Sequence, residues 1–61
     1  MLEIDDKYYN SKDIRCLNRN NRDNLVITFK NGDVVHTDYY CNDYNLERIL
    51  KKWEQELGGM R

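Results

Sequence analysis

Two kinds of apolar spacing organise this chain. Between Leu25 and Tyr40, the runs Leu-Val-Ile-Thr-Phe and Val-Val-His-Thr-Asp-Tyr-Tyr are rich in β-branched and aromatic residues and flank Asn31-Gly32. Asn-Gly between such runs is a strong hairpin signal, because both residues tolerate the positive φ of a type I′ turn. A two-residue loop at this point sets Phe29 opposite Val34, Thr28 opposite Val35, Ile27 opposite His36 and Val26 opposite Thr37. One hairpin face then carries Leu25, Ile27, Phe29, Val34 and His36. The other carries Val26, Thr28, Val35, Thr37 and Tyr39.

The second spacing is helical. Leu46, Ile49, Leu50, Trp53 and Leu57 fall on one stripe, and Glu47, Arg48, Lys51, Lys52, Gln55 and Glu56 fill the opposite side. Asn42 or Asp43 supplies an N-cap oxygen, and Gly58-Gly59 offers a left-handed stop. Upstream the pattern is less regular. Leu2 and Ile4 alternate with Glu3 and Asp5, Asp5-Asp6 reads as a turn, and Lys7-Tyr8-Tyr9 resumes pairing. Over residues 13–19 a strand groups Ile14 with Cys16, whereas a helical turn capped by Ser11 groups Ile14 with Leu17. Strand is preferred, because Asn18 to Asp23 forms a polar loop into the next strand.

The chain therefore predicts one α+β domain. Strands cover about residues 2–4, 7–9, 13–19, 24–30 and 33–40, and a helix covers about 43–57. They form an antiparallel meander of three or four strands, followed by one C-terminal amphipathic α-helix packed on one sheet face.

Length changes the picture first. At 61 residues the chain has room for one small core, and a domain this size buries only about 60% of its unfolded surface. A partner subunit, a metal or disulfides usually supplement such a core. The net charge of −1, from 10 basic and 11 acidic side chains, argues against a tight polyanion binder. No basic-then-apolar leader opens the chain and no long apolar run follows, so a cytoplasmic protein with no membrane association is expected. In that compartment Cys16 and Cys41 are expected as thiols. The chain has no proline, no alanine and eight asparagines, usage that hints at an AT-rich bacterial or phage genome.

Candidate chemistry is sparse. His36, the single histidine, lies two residues before Asp38, an acid–base pairing with no second motif to support it. Cys16, His36, Asp38 and Cys41 are zinc-type ligands, but the short paired cysteine spacing of structural zinc sites is missing. Lys12, Arg15, Arg19 and Arg22, with the rings of Tyr8, Tyr9, Tyr39 and Tyr40, suggest a basic strip beside stacking platforms, the chemistry of single-strand binding. Its strongest members are Lys12, Arg15, Arg19, Arg22, Tyr8 and Tyr40. Glu3, Asp5, Asp6, Asp33, Asp38 and Asp43 invite a phosphate-mimic reading, which the near-neutral total disfavours as a whole-surface mechanism. The three glycines are all taken by the turn and the helix stop, so no phosphate loop or nucleophile elbow is present. No catalytic residue, metal site or cofactor is expected, and the chain is read as a non-enzyme.

Lys7-Tyr8, Asn10, Ile14, Leu17, Val26-Ile27-Thr28 and Asn31-Gly32, followed by an amphipathic helix, resemble the pattern of a small family of flagellar-operon and swarming proteins. These residues specify a hairpin, so the resemblance carries no functional site. In element order, four strands and a helix are similar to the single-stranded-DNA-binding fold of transcriptional positive coactivators. The simplicity of the scaffold resembles very small anti-CRISPR and other phage anti-defence proteins.

The expectation drawn from all this is a small non-catalytic binding protein. It acts by occupying a macromolecular partner's surface, as an inhibitor of phage or mobile-element type would. Self-association into a homodimer or higher oligomer is expected through the face of Val26, Thr28, Val35, Thr37 and Tyr39, with an unidentified protein as a further partner and no small-molecule substrate. The alternative is a single-stranded nucleic-acid-binding or regulatory module using the basic strip.

Overall fold

Three tight turns and two irregularities set the architecture. The computed structural model describes residues 1–58, in the order β1 (Leu2–Ile4), β2 (Lys7–Tyr9), a 3₁₀ turn (Ser11–Asp13), β3 (Ile14–Arg19), β4 (Asn24–Phe29), β5 (Val34–Tyr40) and α1 (Asp43–Glu56). β1 and β2 form their own hairpin, and β3-β4-β5 form a three-stranded antiparallel meander. The architecture is α+β with a C-terminal helix, as the spacing predicts. The N-terminal hairpin is a separate sheet and does not extend the meander.

The β1–β2 hairpin turns through Asp5 and Asp6, both left-handed at φ 56° and 65°. A two-residue hairpin loop needs that pair of conformations to match the strand twist, and aspartate adopts them more readily than most residues.

The two connections of the meander share a different design. Asn20 pairs with Asn24 across Asn21-Arg22-Asp23, and Phe29 pairs with Asp33 across Lys30-Asn31-Gly32. In each, the third loop residue is left-handed: Asp23 at φ 62° and Gly32 at φ 99°. This is the three-residue hairpin loop that ends in a positive-φ residue. Asn31 is not left-handed. Its Oδ1 instead accepts the Asp33 N–H at 2.9 Å, while the Lys30 N–H reaches across to the Asp13 carbonyl at 2.9 Å.

The extra loop residue overturns the predicted register. Thr28 faces Val34, Ile27 faces Val35 and Val26 faces His36. A one-residue slip turns every β5 side chain to the opposite face. Val35, Thr37 and Tyr39 therefore point toward the core, and Val34, His36, Asp38 and Tyr40 point outward. Near its end β5 takes two more residues than β4 between the Val26–His36 and Asn24–Tyr40 pairs. The Thr37 hydroxyl donates to the Leu25 carbonyl at 2.8 Å there.

A bulge settles residues 11–19. Register shifts between Ile14 and Cys16, leaving Arg15 as the extra residue. Ile14 and Leu17 thereby both turn inward and Cys16 turns out toward Thr28, a grouping that simple alternation forbids. The helical element is the preceding 3₁₀ turn, and its cap is Asn10, whose Oδ1 accepts the Lys12 N–H at 3.1 Å.

Helix α1 starts at Asn42, which accepts the Asn45 N–H at 2.7 Å, and stops at left-handed Gly58, φ 76°. Leu57 lies past the helix and is 42% exposed, so it leaves the predicted stripe. Gly59, the second glycine of that stop, lies outside the described residues. Leu2, Ile4, Ile14, Leu17, Leu25, Ile27 and Cys41 form the core, with α1 and the β1–β2 hairpin together covering one face of the meander. Among the described residues two layers result, with one sheet face left open.

Asp23 offers a simple check of the loop geometry. Aspartate escapes part of the left-handed cost of about 1–2 kcal/mol that an ordinary L-residue bears, and glycine returns a comparable amount in chain entropy. Asp23→Gly should therefore leave the melting temperature within about 2–4 °C of wild type. A larger fall would show that the loop does not hold this conformation.

Candidate partner-binding surface

The open face of the meander is built by register. Cys16, Thr28 and Val34 form one cross-strand row, Asn18, Val26 and His36 the next, and Asn24 and Tyr40 the last. Val26 is only 9% exposed yet belongs to no part of the core cluster, because its neighbours on the outer face shield it. Val34 and Tyr40 stand out at 52% and 59% exposed. Asn20 Nδ2 lies 3.5 Å from His36 Nδ1, and Asn18 Nδ2 lies 3.7 Å from the Cys16 sulfur. The face is a patch of apolar and uncharged polar groups, with Asp38 as the carboxylate on its β5 edge.

The five residues expected to form one association face are divided by the sheet. Val26 and Thr28 stay on the open side. Val35 and Tyr39 pack against the core, and Thr37 points the same way, bonded to Leu25. The cause is again the loop length. Asparagine-glycine fits a two-residue and a three-residue loop alike, and the two differ by one step of register.

The proposed basic strip is also dispersed. Arg19 is occupied: its guanidinium donates to the Cys41 carbonyl at 3.1 Å and to Asp43 Oδ1 at 2.7 Å, clamping the end of β3 to the start of α1. Lys12 lies in the 3₁₀ turn, Arg15 in the bulge and Arg22 in the loop beyond the other end of β3, all exposed. At about 3.3 Å per residue, the stretch from Arg15 to Arg19 alone spans about 13 Å. Tyr8 is exposed on β2, in the layer that covers the core face, whereas Tyr40 is on the open side. These groups do not line one groove.

The zinc-type ligands are parted as well. Cys41 is 0% exposed within the core, while Cys16, His36 and Asp38 are on the outer side, with Cys16 and His36 on opposite edge strands. Among the described residues no group of three or more metal-type side chains converges. Burial pushes the Cys41 thiol above its usual range, partly offset by the Arg19 guanidinium. The Cys41 thiol is therefore a poor nucleophile inside an apolar core.

Sequence reasoning missed one polar cluster, where the end of α1 meets the N-terminal segment. Ser11 is buried, its hydroxyl donates to Glu56 Oε1, and its carbonyl accepts the Trp53 Nε1–H at 3.0 Å. The Met1 ammonium lies 3.3 Å from the same Glu56 oxygen. Nothing in local spacing links Ser11 to residues more than forty positions away.

The Ser11 hydroxyl first, then the Met1 ammonium and Lys52, hold the Glu56 carboxyl below its usual 4.5, against an opposing desolvation. A lowered folded-state value stabilises the fold above the unfolded value and loses that contribution as pH falls through the folded one. Stability should therefore decline with acid below about pH 4.5, and Glu56→Gln should flatten that decline. Chemical denaturation of both proteins between pH 3 and 7 checks this, and parallel acid limbs would refute it.

No protein-family model, no curated protein and no solved structure matches this chain. Among the described residues, no helix is long and apolar enough to cross a membrane.

Proposed function

We propose that this is a small non-catalytic binding protein that occupies a macromolecular partner's surface with the open face of its meander. The observation that carries this reading is that Val34 and Tyr40, both more than half exposed, stand at the two ends of β5 on either side of the shielded Val26, on a face whose strand positions carry Asp38 as their carboxylate. A large apolar group costs little when left wet singly, but several along one sheet face make the kind of surface partners cover. Tyrosine suits such a contact because its ring buries area while its hydroxyl keeps a polar partner. An inhibitor of phage or mobile-element type, acting in the cytoplasm, fits the size and asparagine-rich composition.

Interaction capture with two variants tests the reading. Val34→Lys and Tyr40→Ala, each on the exposed side of β5, should abolish retention of the partner protein and leave the melting temperature nearly unchanged. Lys12→Glu should have no effect. Retention that survives both β5 variants would move the site elsewhere.

A second reading, single-strand nucleic-acid binding, rests on Tyr40 and His36 standing exposed on an antiparallel sheet with Arg15 and Arg22 at its margins. Stacking on such rings is sequence-tolerant and is paired with phosphate contacts that salt weakens steeply. Titration with a single-stranded oligonucleotide across a salt series separates the two. Binding at low salt that is lost in Arg15→Ala and Arg22→Ala would favour the nucleic acid.

A further inference from the structure

Helix α1 covers the core incompletely. None of its residues is buried, and Leu46, Ile49, Leu50 and Trp53 pack on the core while staying partly open to water. Between α1 and β1 lies an open cleft of about 650 Å³, whose floor includes Ile4, Tyr39 and Ile49. Its two rims carry opposite charge. Glu3, Asp5 and Asp6 line the β1 side, and Arg48, Lys51 and Lys52 line the helix side. The rims do not neutralise each other, since the ion pairs among the described residues are Met1–Glu56 and Arg19–Asp43.

We infer that this cleft is a self-association surface and that its occupant is a second copy of the chain, related by a two-fold axis running along the cleft. Rotation about that axis lays the acidic rim of each copy over the basic rim of the other, on both sides at once. A two-fold axis across the cleft would instead set acid on acid and base on base. The charge pattern thus selects one of the two isologous arrangements. Arg48, Lys52 and Gln55 succeed one another along the cleft wall, so α1 runs along it. Rotation about a parallel axis preserves the helix direction, and the two helices lie parallel. Each copy then closes the other's cleft over the half-buried Tyr39 and Ile49, which adds burial to a core too small to spare any. The outer sheet face takes no part, so this dimer does not depend on the proposed partner site.

Exchange of charge between the rims is the test. An acid-reversed protein carries Glu3→Lys, Asp5→Asn and Asp6→Asn, with asparagine chosen because it tolerates the left-handed turn. A base-reversed protein carries Arg48→Glu and Lys51→Glu. Sedimentation equilibrium at low salt should show wild type as a dimer that weakens as salt rises. Each reversed protein alone should dimerise at least tenfold more weakly, and an equimolar mixture should recover the dimer, because unlike rims again face each other. Should either variant melt poorly, the single-site pair Glu3→Lys and Lys51→Glu carries the same exchange. Three results would overturn the inference: a wild-type monomer at high concentration, a mixture that stays monomeric, or a dimer broken by Val34→Lys on the outer face.

Discussion

Ile27→Ala should leave much of the protein unfolded at room temperature. Ile27 is 0% exposed on the central strand, between Leu17 on β3 and Val35 on β5, beneath the layer of α1 and β1. Truncating a buried isoleucine costs about 2–5 kcal/mol, since the removed methyl groups lose their transfer energy and leave a cavity. A central strand held on both sides by ladder hydrogen bonds cannot shift to close that cavity. At about 0.05–0.15 kcal/mol per residue, a chain of 61 residues holds roughly 3–9 kcal/mol in total. The loss is thus comparable with the whole stability. Urea denaturation followed by circular dichroism reads it, and a midpoint close to wild type would mean that Ile27 does not occupy the centre of the core.

The same measurement on β5 distinguishes the two registers. Val35→Ala removes a side chain that packs on the core, whereas Val34→Ala trims one that is 52% exposed. The former should cost about 1 kcal/mol or more and the latter at most about 0.5 kcal/mol. A two-residue loop at Asn31-Gly32 reverses that order.

The strands and the helix were legible because β-branched and aromatic runs mark β4 and β5, buried Leu2 and Ile4 alternate with exposed Glu3 in β1, and the Leu46–Trp53 stripe repeats at helical spacing. Asp5-Asp6 was legible as a turn because few residues accept a left-handed pair. Asn31-Gly32 was legible as a turn but not as a loop length. Its register depended on whether Asn31 turned left-handed or bonded forward to Asp33, an energy difference that dipeptide identity does not reveal. The bulge at Arg15 was illegible for a related reason: alternation assumes an unbroken ladder, and the misfit of Ile14, Cys16 and Leu17 was its one trace. These two single-residue shifts decide which side chains share the open face. The association surface was therefore the part of the protein most exposed to error, while the fold class was insensitive to both. Arg19 shows the same limit for charge, since composition counts a cation but not the Cys41 carbonyl and Asp43 carboxylate that occupy it.

Trp53→Ala should produce the second large effect, through the docking of α1. Trp53 packs its ring against the core cluster and donates its Nε1–H to the Ser11 carbonyl at 3.0 Å. The adjoining Ser11 hydroxyl holds Glu56, so ring, carbonyl and carboxylate fasten the last turns of the helix to the N-terminal segment. Fully buried tryptophans cost about 3–5 kcal/mol on truncation. Trp53 is only partly covered, and a cost of about 2–3 kcal/mol is expected in the same scale. Trp53→Phe keeps the ring contact but leaves the Ser11 carbonyl without its donor, and should cost about 1 kcal/mol. Leu57→Ala, beyond the helix and exposed, should be nearly neutral. Because Asn42 and the Arg19 clamp secure the opposite end of α1, the alanine variant should fray from Glu56 backward rather than release the helix whole. Helical ellipticity should then fall at temperatures where the strand signal persists. A Trp53→Ala protein that melts within a few degrees of wild type, in one transition, would show that α1 is held by its N-terminal attachments alone.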